Sequence, residues 1–353
     1  MSILKGSILW YAKEGEETRK LQFTGGSTYI VSLPKSWITQ NQLKRGSMIR
    51  LREEEGGLLS IVPTTFTNQN SDEASIRVMP KDRPEAVIRK TVSTYLAGYN
   101  KIHLRADKEH VLSGEQRHSI GDFVHKMFVG TEIVTNTPTE LTLQVLLSYP
   151  ELSIQSALGR MGVMASSMHK DAIAALRQHD NALAKSVTST DNEVDRFNLY
   201  VVRQLKTAIQ NPRIVKEIGL TSARDCLGYR LVAKSVERTA DHAVEIAENV
   251  MAMKHKLSAE ITEKIDEMSS IAISMFEIAL ESLSRKDFAL AETMIERVND
   301  VIALEKKAVI SCKIDGEDEG NLRLIIESIR RTAEYSSDIA EVVLNLTVET
   351  IIE

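Results

Sequence analysis

The sequence has 353 residues, the length of about two to three ordinary domains, and 42% of them are hydrophobic, which is enough to bury several cores. Its two cysteines, Cys226 and Cys312, are far apart and in no metal-ligand spacing, so a disulfide framework and a zinc finger are excluded and a reducing cytoplasm is favoured. With 44 Lys and Arg against 49 Asp and Glu, the net charge of −5 excludes a generally basic coat for nucleic acid.

Membrane and export signals are absent from the sequence pattern. The first thirty residues contain no long apolar core followed by a small-residue cleavage site. No uncharged apolar run approaches the roughly 20 residues that a bilayer span requires. We therefore expect a cytoplasmic protein without membrane insertion.

The first predicted domain, residues 1–63, is a small β module. Its residues 19–63 are rich in β-branched side chains and interrupted by Gly and Pro, and Gly25-Gly26 and Gly56-Gly57 are typical of turns between strands. The pattern predicts two hairpins. A polar stretch at residues 64–73 follows, and its composition indicates a linker.

The second predicted domain, residues 74–150, alternates strand-like and helix-like segments. This alternation favours a small α/β domain with βαβ crossovers. No catalytic motif lies within it.

Beyond residue 153 the sequence predicts long helices, since apolar residues recur at three and four positions and Pro212 is the one proline. Residues 230–250 and 323–343 are identical at ten of 21 positions at an offset of 93, and a second pair of segments aligns at an offset of 107. The first copy therefore has a connection 14 residues longer, placed after Pro212. We expect two tandem three-helix bundles, residues 151–257 and 258–353, in a multidomain α+β protein.

The β module carries the strongest charge signal of the sequence. Residues 19–52 contain seven basic residues and no acidic one, which leaves −12 for the rest of the chain. Such a surface attracts phosphate backbones, although it is also compatible with a solvated face that balances an acidic partner domain.

The run GGSTYIVSLPKSW followed by LKRGSMIRLREEEGGLLSIVP resembles the AbrB (SpoVT-AbrB) family of swapped-hairpin DNA-binding domains. The resemblance implies an obligate homodimer in which two chains interlace their hairpins into one β-barrel, because four short strands alone would leave unpaired edges and too little core. It also implies DNA as a partner. The expected phosphate-facing residues are Arg19, Lys20, Lys35, Lys44 and Arg45.

A second candidate site is acidic. Asp191 and Asp195, and likewise Glu237 and Asp241, are four residues apart and so share one helix face. Four carboxylates on adjacent helices would suit Mg²⁺, Mn²⁺, iron or zinc. The alternative is that these acids are exposed or pair with Arg230 and Arg238.

The segment SVERTADHAVEIAENV, preceded by TDNEVDRFN, is similar to the PhoU family of phosphate-uptake regulators, which repeat a Glu/Asp-x-x-x-Asp motif in tandem three-helix bundles. The resemblance implies an iron or zinc cluster held by the same four acids. The second copy departs from the motif, because Val298, Ile302 and Arg330 stand in place of Asp191, Asp195 and Glu237. A second cluster is therefore doubtful, unless Glu334 and Asp338 form a weaker one.

Together with the charge pattern and the repeat, the two resemblances imply a phosphate-responsive transcriptional regulator, a DNA-binding dimer whose helical bundles sense phosphate status or a partner. A different hypothesis is a signalling adaptor that docks on a phosphate-transporter ATPase or a sensor kinase and uses the β module only to dimerise. A metal-dependent hydrolase or oxidase is a third hypothesis. No P-loop, dinucleotide fingerprint or nucleophile pair supports it, so we expect a protein that is not an enzyme.

Overall fold

The computed structural model describes residues 17–54, 57–64, 73–107, 110–146, 152–311 and 318–352. The chain divides into two compact units, Met1–Asn70 and Ser71–Glu353. The first unit is built from hairpins, whereas the second combines a mixed sheet with a large helical body.

The described residues of the first unit form two antiparallel hairpins and one short helix. Its elements are β1 (Gln22–Thr24), β2 (Thr28–Ile30), α1 (Lys35–Gln40), β3 (Ile49–Glu54) and β4 (Leu58–Pro63). Gly25 and Gly26 connect β1 to β2 with positive φ angles of 62° and 81°, a conformation that glycine adopts without steric cost. β1–β2 and β3–β4 form two separate two-stranded sheets. The described part of this unit therefore has the predicted hairpins, and the β-barrel interlaced from two chains stays a prediction.

These hairpins leave their apolar side chains exposed. Pro63 is the one buried side chain among the described residues of this unit. The register of β3 and β4 places Leu51 opposite Ile61 and Glu53 opposite Leu59 on one face, and Arg50 lies on the other face. Phe23 and Tyr29 face each other across β1 and β2 with ring centroids 5.1 Å apart. The large apolar side chains that are exposed here are Leu21, Phe23, Tyr29, Ile30, Val31, Met48, Leu51, Leu58 and Leu59.

The second unit begins with a four-stranded sheet and two helices. These elements are β5 (Glu73–Val78), α2 (Pro84–Leu96), β6 (Lys101–Ala106), α3 (Gly114–Met127), β7 (Thr131–Asn136) and β8 (Glu140–Val145). The strand order is β5-β6-β8-β7, in which β5 and β6 are parallel and the other pairs antiparallel. A βαβ crossover of the predicted kind is therefore present in β5, α2 and β6, and the β7–β8 hairpin completes the sheet.

The sheet and its helices share a hydrophobic core of their own. Ile102 and Leu104 of β6 and Leu141 and Leu143 of β8 are fully buried. Ser113 begins α3 with a capping box, since its side chain accepts the Gln116 N–H and the Gln116 side chain accepts the Ser113 N–H. The sheet module is thus held by alternating strand residues on one face.

The part of the helical body that the structure describes has six long helices and one short helix. They are α4 (Ile154–Gln178), α5 (Asn181–Gln210), α6 (Pro212–Glu217), α7 (Asp225–Ala252), α8 (Ala259–Arg285), α9 (Phe288–Ser311) and α10 (Glu319–Thr347). The long helices have 24 to 30 residues, as the repeat predicts. α6 and the turn after it occupy the extra connection of the first copy. None of the described helices is long and apolar enough to cross a bilayer.

The two repeats pack as related halves. In the first repeat α4, α5 and α7 pack together, and α8, α9 and α10 do so in the second. α4 and α8 both end on a left-handed residue, His179 and Lys286, which are equivalent at the offset of 107. α7 and α10 meet where His242 approaches Tyr335, its equivalent at the offset of 93, with the His242 Nε2 atom 3.3 Å from the Tyr335 hydroxyl oxygen. Equivalent residues therefore face each other across the boundary between the repeats.

Candidate functional site

The predicted phosphate-facing cations lie on the surface of the first unit. Lys35 begins α1, while Lys44 and Arg45 lie in the turn that leads into β3, and all three are exposed. Arg19 forms an ion pair with Glu17. Within the described residues, Lys20, Lys35, Lys44 and Arg45 form no ion pair with a carboxylate. Four of the five predicted cations are thus available to an external anion.

The four predicted acids come together between α5 and α7, which pack against each other. Asp191 and Asp195 of α5 each experience the charge of Glu237 on α7. Asp241 experiences the charges of Glu237, Asp191 and Asp195. The sequence prediction that these acids converge is consistent with this arrangement.

Burial and mutual repulsion change how these acids titrate. Burial, followed by the charges of Asp195 and Glu237, raises the pKa of Asp191 to about 6. Burial of the partly exposed Asp241 and the charge of Glu237 raise the pKa of Asp241 to about 7. One carboxylate oxygen of Asp191, Oδ1, is buried without a hydrogen-bond partner in the structure. Near neutral pH Asp241 is therefore partly protonated, because a full set of negative charges is disfavoured.

Among the described residues, Lys234 is the one cation that forms an ion pair with any of the four acids. It lies three residues before Glu237 on α7 and forms an ion pair with that carboxylate. Arg238 instead lies over the ring of Tyr335, with its guanidinium carbon 5.7 Å from the ring centroid. The expectation that the acids pair with Arg230 or Arg238 is not met by any ion pair in the described part of the chain.

The four acids of this cluster offer carboxylate oxygens, which are hard ligands suited to Mg²⁺, Mn²⁺ and iron. As the side chains are placed, however, the described residues contain no group of three His, Cys, Asp or Glu side chains that could hold a metal ion. The present arrangement therefore does not fit a metal centre. Iron or zinc binding by Asp191, Asp195, Glu237 and Asp241 stays a prediction.

The corresponding position of the second repeat contains a network of ion pairs. Arg330, equivalent to Glu237, contacts Glu334, and its Nη2 atom lies 2.6 Å from Glu327. Arg331 also contacts both carboxylates, at 3.0 Å and 3.1 Å. The Glu334 carboxylate is thus in ion pairs with Arg330 and Arg331. The weaker second metal site expected from Glu334 and Asp338 therefore has no unpaired Glu334 carboxylate to use as a ligand.

Arg203 was missed in the sequence although it anchors the sheet module to the helical body. It lies on α5, is 2% exposed, and donates hydrogen bonds to the carbonyl oxygens of Tyr95 and Gly98 and to the Asn100 side chain. Its guanidinium carbon also lies 4.7 Å from the centroid of the Tyr95 ring. The available signal was an arginine on the apolar face of a predicted helix.

The fold and these sites define a class of protein in which a cationic hairpin module and a small sheet precede a duplicated three-helix bundle. The model of the PhoU domain matches residues 158–250 and 265–343, one match for each repeat. The helical part of this chain therefore contains two PhoU domains. The model described as antidote-toxin recognition MazE, bacterial antitoxin, matches residues 22–67, so the first unit is a MazE/AbrB-like domain.

Curated relatives carry the same family name. A phosphate-specific transport system accessory protein PhoU homolog from Clostridium acetobutylicum is 24% identical over 156 residues, which are 44% of this chain and 69% of that protein. PhoU homolog 1 from Thermotoga maritima is 22% identical over 202 residues, 54% of this chain and 84% of that protein. A Caulobacter vibrioides homolog is 32% identical over 100 residues, 28% of this chain and 40% of that protein.

Solved PhoU structures are also similar to this chain. PhoU from Pseudomonas aeruginosa has a TM-score of 0.47 and 19% identity, and the match covers 56% of this chain and 96% of that one. The phosphate transport system regulatory protein PhoU from Streptococcus pneumoniae has a TM-score of 0.47 and 20% identity, covering 57% of this chain and 96% of that one.

Proposed function

We propose that this chain is a DNA-binding dimer that regulates phosphate uptake, with its PhoU-like bundles responding to phosphate status or to a partner. The observation that carries the proposal is the first unit, which combines an uncovered apolar face with exposed cations that have no acidic partner among the described residues. The match to an antitoxin domain supports the DNA-binding part. The names of the curated relatives support the phosphate part.

The exposed apolar face of the hairpins supports the dimer of this proposal. Leu51 is 58% exposed and Phe23 is 59% exposed on a unit that has no hydrophobic core in the described residues. Two-stranded hairpins of this size are marginal in water unless a third strand or another layer covers them. A second copy supplies such a layer, and the opposite face with Arg50 then points outward. The predicted swapped barrel would have this arrangement.

The dimer is tested with Leu51→Glu in the full chain, measured by sedimentation velocity. We expect the wild-type chain to sediment as a dimer and the variant as a monomer whose helical body keeps its helical circular dichroism. Val163→Glu, an exposed apolar position on α4, is the matched control and is expected to stay dimeric. A Leu51→Glu chain that remains dimeric would contradict the role of this face.

DNA binding is tested with a triple charge reversal, Lys35→Glu, Lys44→Glu and Arg45→Glu, on the full chain. The probe is the DNA upstream of this chain's own coding sequence and of phosphate-transport genes, in a gel-shift assay at low salt, where backbone contacts are strongest. Since each lost phosphate contact reduces the slope of log K against log salt by about 0.9, we expect a weaker affinity and a shallower slope.

The matched control reverses three exposed lysines of the helical body, Lys185→Glu, Lys206→Glu and Lys256→Glu, which gives the same change in net charge. The control should retain the DNA. Failure of the wild-type dimer to bind at low salt, or an equal loss in both triple variants, would remove the DNA-binding proposal.

The names of the curated relatives favour a second candidate function, an accessory protein that docks on a phosphate-transporter ATPase or a sensor kinase and uses the first unit only to dimerise. The same triple variant separates the two candidates. A dimer that has lost its DNA and its phosphate response supports the regulator. A dimer with an unchanged phosphate response supports the accessory role.

A further inference from the structure

A small cavity lies where the sheet module meets the helical body, beside the Arg203 anchor. Its volume is about 10 Å³, which is the space that one water molecule requires and too little for a larger ligand. The cavity is lined by residues of both parts, among them Tyr95 of α2, Asn100 before β6, Val145 of β8, and Tyr200 and Gln204 of α5. A molecule bound here would therefore contact the sheet module and the helical body at once.

Two polar side-chain atoms at this cavity have no hydrogen-bond partner among the described residues. Tyr95 is 1% exposed, and its hydroxyl oxygen is the first of these atoms. Gln204 is 3% exposed, and its Oε1 atom is the second. The two atoms are thus not bonded to each other, although both residues line the same cavity. Because buried polar groups are almost always hydrogen-bonded, these two atoms indicate a further polar group between them.

The packing around the Tyr95 ring fixes the position of its hydroxyl oxygen. Phe128 stacks on one face of the ring, with the centroids 4.0 Å apart and the planes 9° apart. The guanidinium carbon of Arg203 lies over the ring, 4.7 Å from its centroid. Burial raises the pKa of Tyr95 to about 12, so the hydroxyl keeps its proton at neutral pH and acts as a donor. The cavity must therefore supply an acceptor at a fixed position.

The charges around the cavity favour a neutral group that both accepts and donates. The donor is the Tyr95 hydroxyl, whereas the Gln204 Oε1 atom requires a donor. A cation is disfavoured because the buried guanidinium of Arg203 lines the cavity. An anion would satisfy the hydroxyl but would face the Gln204 carbonyl oxygen. A water molecule accepts from the first group and donates to the second, and it fits the volume.

We propose that this cavity is a binding site for one ordered water molecule, which accepts a hydrogen bond from the Tyr95 hydroxyl and donates one to the Gln204 Oε1 atom. The sheet module is then joined to α5 in two ways, directly through Arg203 and through the bound water. This site is independent of the DNA-binding proposal, since it lies in the second unit alone.

The first test is a crystal structure of the full chain at a resolution that shows ordered water. We expect a density peak within about 2.7–3.2 Å of both the Tyr95 hydroxyl oxygen and the Gln204 Oε1 atom. A direct hydrogen bond between the two side chains would overturn the proposal, and so would a well-defined cavity without a peak.

The second test is a double-mutant cycle in solution, with Tyr95→Phe and Gln204→Met measured by urea denaturation of the full chain. Each single substitution leaves the other polar group without its water-mediated partner, whereas the double substitution makes the cavity apolar. We therefore expect the unfolding equilibrium constant of the double variant to rise about fivefold less than the product of the two single effects.

The control cycle combines Gln204→Met with Tyr335→Phe. Tyr335 lies on α10 and its hydroxyl faces His242, so the two effects should multiply without coupling. Independent effects of Tyr95→Phe and Gln204→Met, or a coupling of the same size in the control cycle, would argue against a water molecule shared by Tyr95 and Gln204.

Discussion

The first helical repeat places four carboxylates between α5 and α7, whereas the second repeat has Arg330 where the first has Glu237. In the first repeat the acids repel one another and one Asp191 oxygen is buried without a hydrogen-bond partner in the structure. In the second, Arg330 and Arg331 pair with Glu327 and Glu334. The replacement of Asp191, Asp195 and Glu237 by Val298, Ile302 and Arg330 therefore turns a cluster of mutually repelling acids into a set of ion pairs on the same helical scaffold.

A second difference is that the first repeat supports the sheet module. α5 contacts α2 and α3, and its Arg203 is buried beneath the end of α2. The packed helices are similar in the two repeats, but their charged residues are specialised. Substitutions at these residues test whether the first repeat carries the binding surfaces and the second stabilises the body.

The largest effect is expected for Arg203→Ala. This substitution leaves the carbonyl oxygens of Tyr95 and Gly98 and the Asn100 side chain without their buried donor, which should cost about 3 kcal/mol of unfolding free energy. Urea denaturation measures the loss, and hydrogen exchange should localise it to the end of α2. Lys206→Ala, an exposed neighbour on α5, is the control. Equal stability of the two variants would show that Arg203 does not anchor the module.

An intermediate effect is expected for Arg330→Glu, which gives the second repeat the residue of the first. A third carboxylate beside Glu327 and Glu334 replaces two ion pairs, so we expect a loss of about 2 kcal/mol in the free energy of unfolding. Arg323→Glu is the control, because Arg323 is more exposed and contacts Glu319 alone among the described carboxylates, where about 0.5 kcal/mol is expected. Similar losses in both variants would contradict the difference between the repeats.

The smallest effect, and one of opposite sign, is expected for Asp191→Asn. The pKa of Asp191 is about 6 in the folded chain and 3.8 as the ordinary value, so the folded state holds this proton more tightly than the unfolded state does. Its contribution to stability is therefore present below pH 4 and decreases as the pH rises to about 7. Because Asp191 is half-buried, we expect Asp191→Asn to stabilise the chain by about 1 kcal/mol at pH 8 and by nothing at pH 4.

Thermal melts at the two pH values measure this effect, with the exposed Glu193→Gln on the same helix as the control. The same melts test the predicted metal site. A cation that binds the four acids would raise the melting temperature of the wild-type chain in millimolar Mn²⁺ or Zn²⁺, and Asp191→Asn would lose that rise. No rise in the wild-type chain would contradict metal binding at these acids.

The helices, their lengths and the hairpins follow from sequence patterns, whereas the ion pairs and hydrogen bonds between elements do not. The offsets of 93 and 107 predict the helix lengths and the extra connection that contains α6, because helix pairing preserves the spacing of a repeat. Glycine pairs and β-branched runs likewise predict the hairpins. The partners of Arg203 and Arg330 depend on which side chains meet after packing, and helical spacing does not specify those contacts across elements.

The placement of Arg203 on α5 has a mechanical consequence. α5 runs unbroken from Asn181 to Gln210, so Asp191 and Arg203, which are twelve positions apart, are separated by about 18 Å along a rigid helix. The side chains that face the acidic cluster and the side chain that anchors the sheet module therefore stand on one continuous helix. The sheet module is thereby fixed to the same rigid element that carries Asp191 and Asp195.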